Sequence, residues 1–331
     1  MRKVLAVVGF TLGALGIGAV KLVHAHADDD RQTPRFSTIA TFDTAAQEIP
    51  ESITTDHRGN LYISVGNTIR RRTPDGTLSV FATLPAPIFA LGVKVGSDGC
   101  VYNVSSSLSD VPGAFVWRAC APDAVELVAE LDQTGAPNDL AFDDADNLYV
   151  TDPVLGQVWK LDPARHVSVW VADALLTSTP DDPALVFRAL GVNGIAFDAE
   201  QRFLYFSNTD RGTILRAHVR RSGSPEVRVF AQDARLRGAD GIAFDRDGTL
   251  FVNVNVSDTL ASVNPGGHVR ILATGGLLDA PSSAVFGATE ADRHQLYVSS
   301  SAFSRTLGLQ PGTPHPALLS AGVATPGLRL P

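Results

Sequence analysis

The sequence predicts an all-β protein, a six-bladed β-propeller closed by an N-terminal strand. Three observations lead to this prediction: a segment that recurs six times, a hairpin pattern inside each copy, and a lone strand before the first copy. Periods of 40 to 55 residues are typical of propellers, in which each repeat forms one four-stranded blade.

The recurring segment consists of an alternating strand, a polar turn, and a second strand that pairs Leu with an aromatic residue. The copy at 138–152, NDLAFDDADNLYVTD, shows all three parts. Short alternating runs around an Asp, Gly or Asn turn indicate a β-hairpin. The six copies begin at residues 51, 91, 138, 193, 240 and 282.

Two more strand-like runs follow the hairpins, such as QVWKLD and VSVWVAD after the third copy. Four strands per unit favour a propeller over an open solenoid, whose repeats are usually shorter and more uniform. The segment FSTIATFD at 36–43 resembles a fourth strand but precedes the first copy. We expect it to complete the last blade, which would leave no free sheet edge.

The N-terminus indicates export. Arg2 and Lys3 precede an uncharged run from Val4 to Val20, and Ala25-His26-Ala27 follows. This order predicts a secretory signal peptide at 1–27, a single propeller domain at 28–331, and a secreted or periplasmic protein. An uncleaved membrane anchor is the alternative, although the run is slightly short for a spanning helix.

Charge limits the classes of partner. Removal of residues 1–27 takes three of the 27 basic residues and no acidic one, leaving 24 basic against 35 acidic side chains and a formal charge of −11. Such a surface repels nucleic acid and anionic lipid. The expected partner is a small molecule, with no nucleic acid and no membrane after signal cleavage.

The two cysteines, Cys100 and Cys120, flank one predicted hairpin. Antiparallel pairing would place them opposite each other, so an oxidising compartment favours a disulfide over two free buried thiols. With no further cysteine and no Cys/His cluster, a structural zinc site is not expected.

Equivalent positions at the start of the innermost strands predict a metal site. Four of the six are carboxylates or amides, and the other two are Leu91 and Ser282. An all-oxygen set suits a hard divalent ion placed off the axis, and its mixed geometry favours Ca²⁺ over Mg²⁺. A conformational role in turns is the alternative, but Glu51 precedes Ser and has no such role. The four predicted ligands are Glu51, Asn138, Asn193 and Asp240.

The segments PESI, PND, NGIAF and DGIAF, each followed by an L-Y/F-V type of strand, resemble the SMP-30/gluconolactonase/LRE-like family. The resemblance implies a propeller with a divalent ion held by Glu51, Asn193 and Asp240, and it makes Asn138 a substrate or metal contact. It also implies metal-dependent hydrolysis of a lactone or ester, with Asp240 and Asn138 as catalytic residues and Asp240 as general base.

Loops at the ends of the second strands face the same side as the predicted metal and are candidates for substrate contact. Arg211 would clamp a substrate carboxylate, and the connection at 174–191 would form a lid. The alternative for each residue is a solvated turn. The candidates are Asp152, Asn208, Asp210, Arg211 and Asn255.

Two other classes of function stay open from the sequence. One is a non-catalytic, metal-stabilised propeller that binds a ligand or protein partner, and the other is a lyase or cyclase on the same scaffold. The carboxylate of Glu51 favours the hydrolase, because a propeller that only binds a partner needs no carboxylate there.

Overall fold

The computed structural model describes residues 33–107, 111–179, 190–219, 223 and 225–328. Contacts divide the chain into Met1–Thr33 and Pro34–Pro331, and all the strands belong to the second unit. The predicted signal peptide at 1–27 lies outside the described residues. None of the helices in the described ranges has the length and apolar character needed to cross a bilayer.

The protein is a six-bladed β-propeller, as the sequence predicts. Within the described ranges, 24 strands form six four-stranded antiparallel sheets. The first two sheets contain β2 (Pro50–Thr55), β3 (Leu61–Val65), β4 (Thr68–Arg72), β5 (Leu78–Thr83), β6 (Phe89–Val95), β7 (Val101–Ser106), β8 (Phe115–Ala119) and β9 (Val125–Glu130).

The middle two sheets contain β10 (Leu140–Phe142), β11 (Leu148–Asp152), β12 (Gln157–Leu161), β13 (Val167–Ala172), β14 (Val192–Phe197), β15 (Phe203–Asn208), β16 (Thr213–His218) and β17 (Val227–Gln232). The last two contain β18 (Ala239–Phe244), β19 (Leu250–Val254), β20 (Thr259–Val263), β21 (Val269–Thr274), β22 (Pro281–Phe286), β23 (Gln295–Ser300), β24 (Ala317–Gly322) and β1 (Ser37–Thr41).

Short helices lie between some of these strands. Three are single 3₁₀ turns, and the fourth, α1, is the α-helix Phe303–Thr306. The 3₁₀ turns are Thr44–Ala46, Ala234–Leu236 and Asn255–Ser257.

The aromatic residue of the repeat explains how neighbouring blades pack. Tyr149 on β11 meets Phe197 on the first strand of the next blade edge to face, with ring centroids 5.6 Å apart. Tyr205 and Phe244 repeat this contact one blade later at 4.9 Å. Edge-to-face pairs stabilise beyond the area they bury. Two further pairs make the same kind of contact, and they are Tyr102 with Phe142 and Phe251 with Phe286. The aromatic residue of the repeat therefore joins the second to the sixth blades in order.

The recurring aspartates fix the hairpin turns. In the first blade, Asp56 Oδ1 accepts hydrogen bonds from the backbone N–H groups of Arg58 and Asn60, both at 2.9 Å. Asp143 does the same for Ala145 and Asn147. Such Asx geometry satisfies turn donors that the ladder leaves unpaired. These carboxylates are structural.

The last blade contains both ends of the described propeller. β1 pairs antiparallel with β24, so that Thr41 lies opposite Ala317. The seam between this blade and the first is held near the axis, where the hydroxyls of Ser282 and Ser299 donate to the Glu51 carbonyl at 2.6 and 2.8 Å.

The disulfide predicted from the cysteine positions is confirmed. Cys100 precedes β7 and Cys120 follows β8, and a disulfide joins them. The bond closes the base of the second blade's central hairpin. The described chain has no free cysteine.

Candidate active site

Three of the six innermost strands carry a glycine near their start, and each lets the backbone of the next inner strand approach closely. Gly92 N–H donates to the Asn138 carbonyl at 2.6 Å. A methyl group on Gly241 would lie 2.6 Å from the Ser282 carbonyl, and one on Gly194 would clash with the backbone of Asp240. Only glycine allows so close an approach.

Convergence places the residue just before each of these glycines around one cavity of about 680 Å³. All four predicted ligands and the two remaining equivalent positions line it together: Glu51, Leu91, Asn138, Asn193, Asp240 and Ser282. The repeat register therefore corresponds to a single place in the folded protein.

The carboxyl groups of Glu51 and Asp240 repel each other in this cavity. Burial, followed by the charges of Asp240 and Asp139, raises the pKa of Glu51 well above its ordinary value. Burial and the charge of Asp139 likewise raise the pKa of Asp240. The Asn255 Nδ2 group donates to Asp240 Oδ2 at 3.4 Å and partly opposes this rise. A cation between the two carboxylates would relieve the repulsion.

Asn193 supplies an oxygen that the described protein leaves without a partner. Its Nδ2 donates to the hydroxyl of Thr209 at 3.0 Å, and that hydroxyl donates to the Ala239 carbonyl at 2.8 Å. These bonds fix the amide, while Oδ1 is buried and accepts no hydrogen bond. An unsatisfied buried acceptor is costly, so a ligand is expected to satisfy it.

The donor set fits a hard divalent cation. The described residues contain no cluster of three or more His, Cys, Asp or Glu side chains that could hold a metal. A site in this cavity therefore depends on amide oxygens as well as carboxylates. Here two carboxylates combine with the amides of Asn138 and Asn193 around one cavity. Mixed carboxylate and amide oxygens suit Ca²⁺, which tolerates irregular geometry and retains positions for water.

Two charged residues near the site were not identified from the sequence. Asp139 is buried, and its carboxylate accepts from the N–H groups of Leu140 (2.9 Å) and Ile195 (3.2 Å). Burial raises the pKa of both Glu51 and Asp139, and the charge of Lys94, on β6, partly opposes this rise. The repeat alignment held the signal for Lys94, since the other copies place Thr, Ala or Val at this position.

Of the five predicted substrate contacts, Asn255 is the one found among the described residues that line the cavity. The other four form hydrogen bonds that fix loops. The carboxylate of Asp152 is buried and accepts from the backbone N–H groups of Ala136, Val154 and Leu155. Asp152 therefore anchors two loops, and its carboxylate is already saturated with backbone donors.

Asn208, Asp210 and Arg211 bind the described N-terminal part of the predicted lid at 174–191. Asn208 Nδ2 donates to the Thr177 carbonyl at 3.1 Å, and Arg211 Nε donates to the same carbonyl at 2.9 Å. Asp210 Oδ2 accepts from Thr179 N–H at 3.1 Å. The structure thus turns Arg211 to the backbone instead of to the cavity. Residues 180–189 of the predicted lid lie outside the described residues.

Comparison with known proteins identifies one family. A family model described as "SMP-30/Gluconolactonase/LRE-like region" matches residues 113–302, more than half of the chain. The gluconolactonase of Zymomonas mobilis is 27% identical over 214 residues, covering 56% of this chain and 58% of that protein. A candidate hetero-Diels-Alderase of Sarocladium schorii is 29% identical over 171 residues, covering 46% of this chain and 41% of that protein.

A solved structure shows the same fold. Regucalcin from Agrobacterium tumefaciens, described as a calcium-binding protein, superposes with a TM-score of 0.67 at 16% identity, covering 90% of this chain and 96% of that one. The sequence matches, by contrast, span only about half the length of the curated relatives.

Proposed function

Because the chain belongs to the SMP-30/gluconolactonase/LRE-like family, we propose that it is an exported, calcium-dependent hydrolase of a lactone or ester. The observation that carries the proposal is the unpartnered Asn193 Oδ1, which lines one cavity with Asn138 and with two buried carboxyl groups whose pKa values are both raised. This combination is suited to a bound cation and is difficult to explain as packing alone.

The ion would be held by Glu51, Asn193 and Asp240, with Asn138 as the fourth oxygen donor. When bound, it supplies a positive charge that polarises the substrate carbonyl and stabilises the negative charge that develops on its oxygen. The fixed amide of Asn193 keeps its oxygen in place for this role without reorganisation.

A side chain of the protein transfers the proton from the attacking water to the leaving group. We assign the general base to the Asp240 carboxylate, which accepts a proton from the attacking water while the water oxygen bonds to the carbonyl carbon. The acyl C–O bond then breaks, and the alkoxide leaves with that proton as an alcohol, which gives a hydroxy acid from a lactone. In the ionised state that a bound cation favours, the Asp240 carboxylate is able to accept this proton. Asn255 orients the carboxylate through Oδ2.

The test is hydrolysis of a panel of lactones and aryl esters by the protein lacking residues 1–27, with calcium and with chelator. We expect activity that chelation abolishes, and a loss of at least a hundredfold in Asn193→Ala and Asp240→Asn. Asp75→Asn, in the exposed turn after β4, is the matched control and should retain activity.

Activity that survives both chelation and the two site substitutions would overturn the proposal. A calcium-induced rise in melting temperature without hydrolysis of any substrate would favour the non-catalytic binding protein instead. Export is tested separately, by N-terminal sequencing of protein recovered outside the cytoplasm, where a start at Asp28 is expected.

A further inference from the structure

The walls of the cavity differ in character from its centre. The oxygen donors lie at the axis, where the innermost strands begin, whereas the surrounding loops contribute mainly aliphatic and aromatic side chains. No Lys, Arg or His is among the described residues that line the cavity. The apolar wall is formed by Ile49, Phe89, Val154, Leu190, Phe303 and Leu307.

Three polar side chains on the wall, those of Ser301, Thr306 and Gln310, are already engaged with the backbone. The hydroxyl of Ser301 donates to the Ala280 carbonyl at 2.8 Å, and Thr306 donates to the Ala302 carbonyl at the same distance. Gln310 Nε2 donates to the Val256 carbonyl at 2.7 Å. Their donors are directed away from a ligand. A polyhydroxylated substrate would therefore lose hydrogen bonds to water that this part of the wall does not replace.

The wall segment around α1 is anchored from outside the cavity. Arg305 pairs with Asp258 at 2.7 Å and with Asp279 at 2.5 Å, and the other Asp279 oxygen accepts from His315 N–H at 2.8 Å. Two carboxylates on one guanidinium hold the helix in place. The apolar surface of Phe303 and Leu307 is thus preformed, which lowers the entropic cost of binding.

From these contacts we infer that the site, if the proposed hydrolase function holds, takes lactones or esters with a sizeable apolar alkyl or aryl substituent instead of sugar lactones. The ester group would lie at the oxygen donors, and the substituent would lie against Phe303 and Leu307. A cavity of about 680 Å³ is within the range of ~300–1,000 Å³ for sites that enclose drug-sized ligands.

The experiment measures kcat/KM on the calcium-loaded protein for δ-lactones bearing methyl through octyl substituents, beside glucono-δ-lactone. We expect kcat/KM to rise about fourfold per added methylene until the wall is covered, and glucono-δ-lactone to be the poorest substrate. Leu307→Gln should flatten this series. Leu277→Gln is the matched control, because Leu277 is similarly exposed but lies on a different cavity.

A second measurement separates the substrate class from catalysis. The uncharged probe N-phenyl-1-naphthylamine should bind the wild type and Leu277→Gln, bind Leu307→Gln several-fold more weakly, and be displaced by the octyl lactone. If the probe behaves so and no lactone is hydrolysed, the hydrolase function fails and the apolar ligand class stands. Hydrolysis that favours glucono-δ-lactone, or that ignores chain length, would overturn the inference while leaving the hydrolase intact.

Discussion

Removal of calcium should make the stability of the protein depend on pH in a direction set by Glu51 and Asp240. Burial and the charge of Asp139 raise the pKa of Asp240 to about 8, and burial together with the charges of Asp240 and Asp139 raises that of Glu51. Unfolded, both groups titrate near pH 4. Between roughly pH 4 and pH 8 the metal-free folded protein therefore binds at least one proton that the unfolded chain has released.

The sign and size follow from this difference in bound protons. Where the folded state binds one proton more, the free energy of unfolding falls by about 1.4 kcal/mol for each unit that the pH rises. Lowering the pH from 7.5 to 5.5 should thus stabilise the chelated protein by about 3 kcal/mol. In melting temperature this is roughly 6 °C for a domain of this size. With calcium bound, both carboxylates are ionised and this contribution disappears.

The assay is thermal unfolding across this pH range, with calcium and with chelator, for the wild type and for Glu51→Gln/Asp240→Asn. The double variant removes the two carboxyls and preserves their shape, so other titrating groups cancel in the comparison. We expect the chelated wild type to gain about 6 °C more than the variant on acidification. Equal slopes in the two chelated proteins would refute the electrostatic account of the site.

Two further predictions concern the scaffold. Replacement of Cys100 and Cys120 by serine should lower the free energy of unfolding by about 3 kcal/mol, because the disulfide links residues 20 apart; an unchanged urea midpoint would contradict this. Gly194→Ala should destabilise by about 1–3 kcal/mol and weaken calcium binding in titration calorimetry, since its methyl group would push the neighbouring inner strand away. Gly322→Ala, where a methyl group meets nothing within 4 Å, is the control, and equal effects of the two substitutions would refute the close-approach explanation.

The blades could be predicted from the sequence because their chemistry is local and repeated. Each hairpin carries its own turn carboxylate, such as Asp56, and its own aromatic residue for packing on the next blade, such as Tyr149. The convergence of Glu51, Asn193 and Asp240 on one cavity follows from the same register. Because the blades repeat around one axis, equivalent positions that are distant in the sequence can be predicted to lie close together, even when no individual contact is known.

The rest depends on features that do not repeat. The position of Arg211 after the end of a strand predicts which side of the ring it occupies. It does not predict that the guanidinium of Arg211 donates to the backbone carbonyl of Thr177. The wall helix, with Phe303 at its start and Leu307 just after its end, lies between β23 and β24, and the described residues of the equivalent connections contain no other α-helix. Its place beside the cavity results from the ion pairs of Arg305, which span distant segments.

The shared last blade also has a consequence for the order of folding. In the other five blades all four strands are consecutive in the chain, so each can form as soon as its own segment is available. The sixth must wait, since Thr41 pairs with Ala317 almost a full chain length away. Such a long-range closure is slow to reach and is made late. Until it forms, β1 and β24 each present an unpaired edge, and this interval is when the chain is most exposed to aggregation.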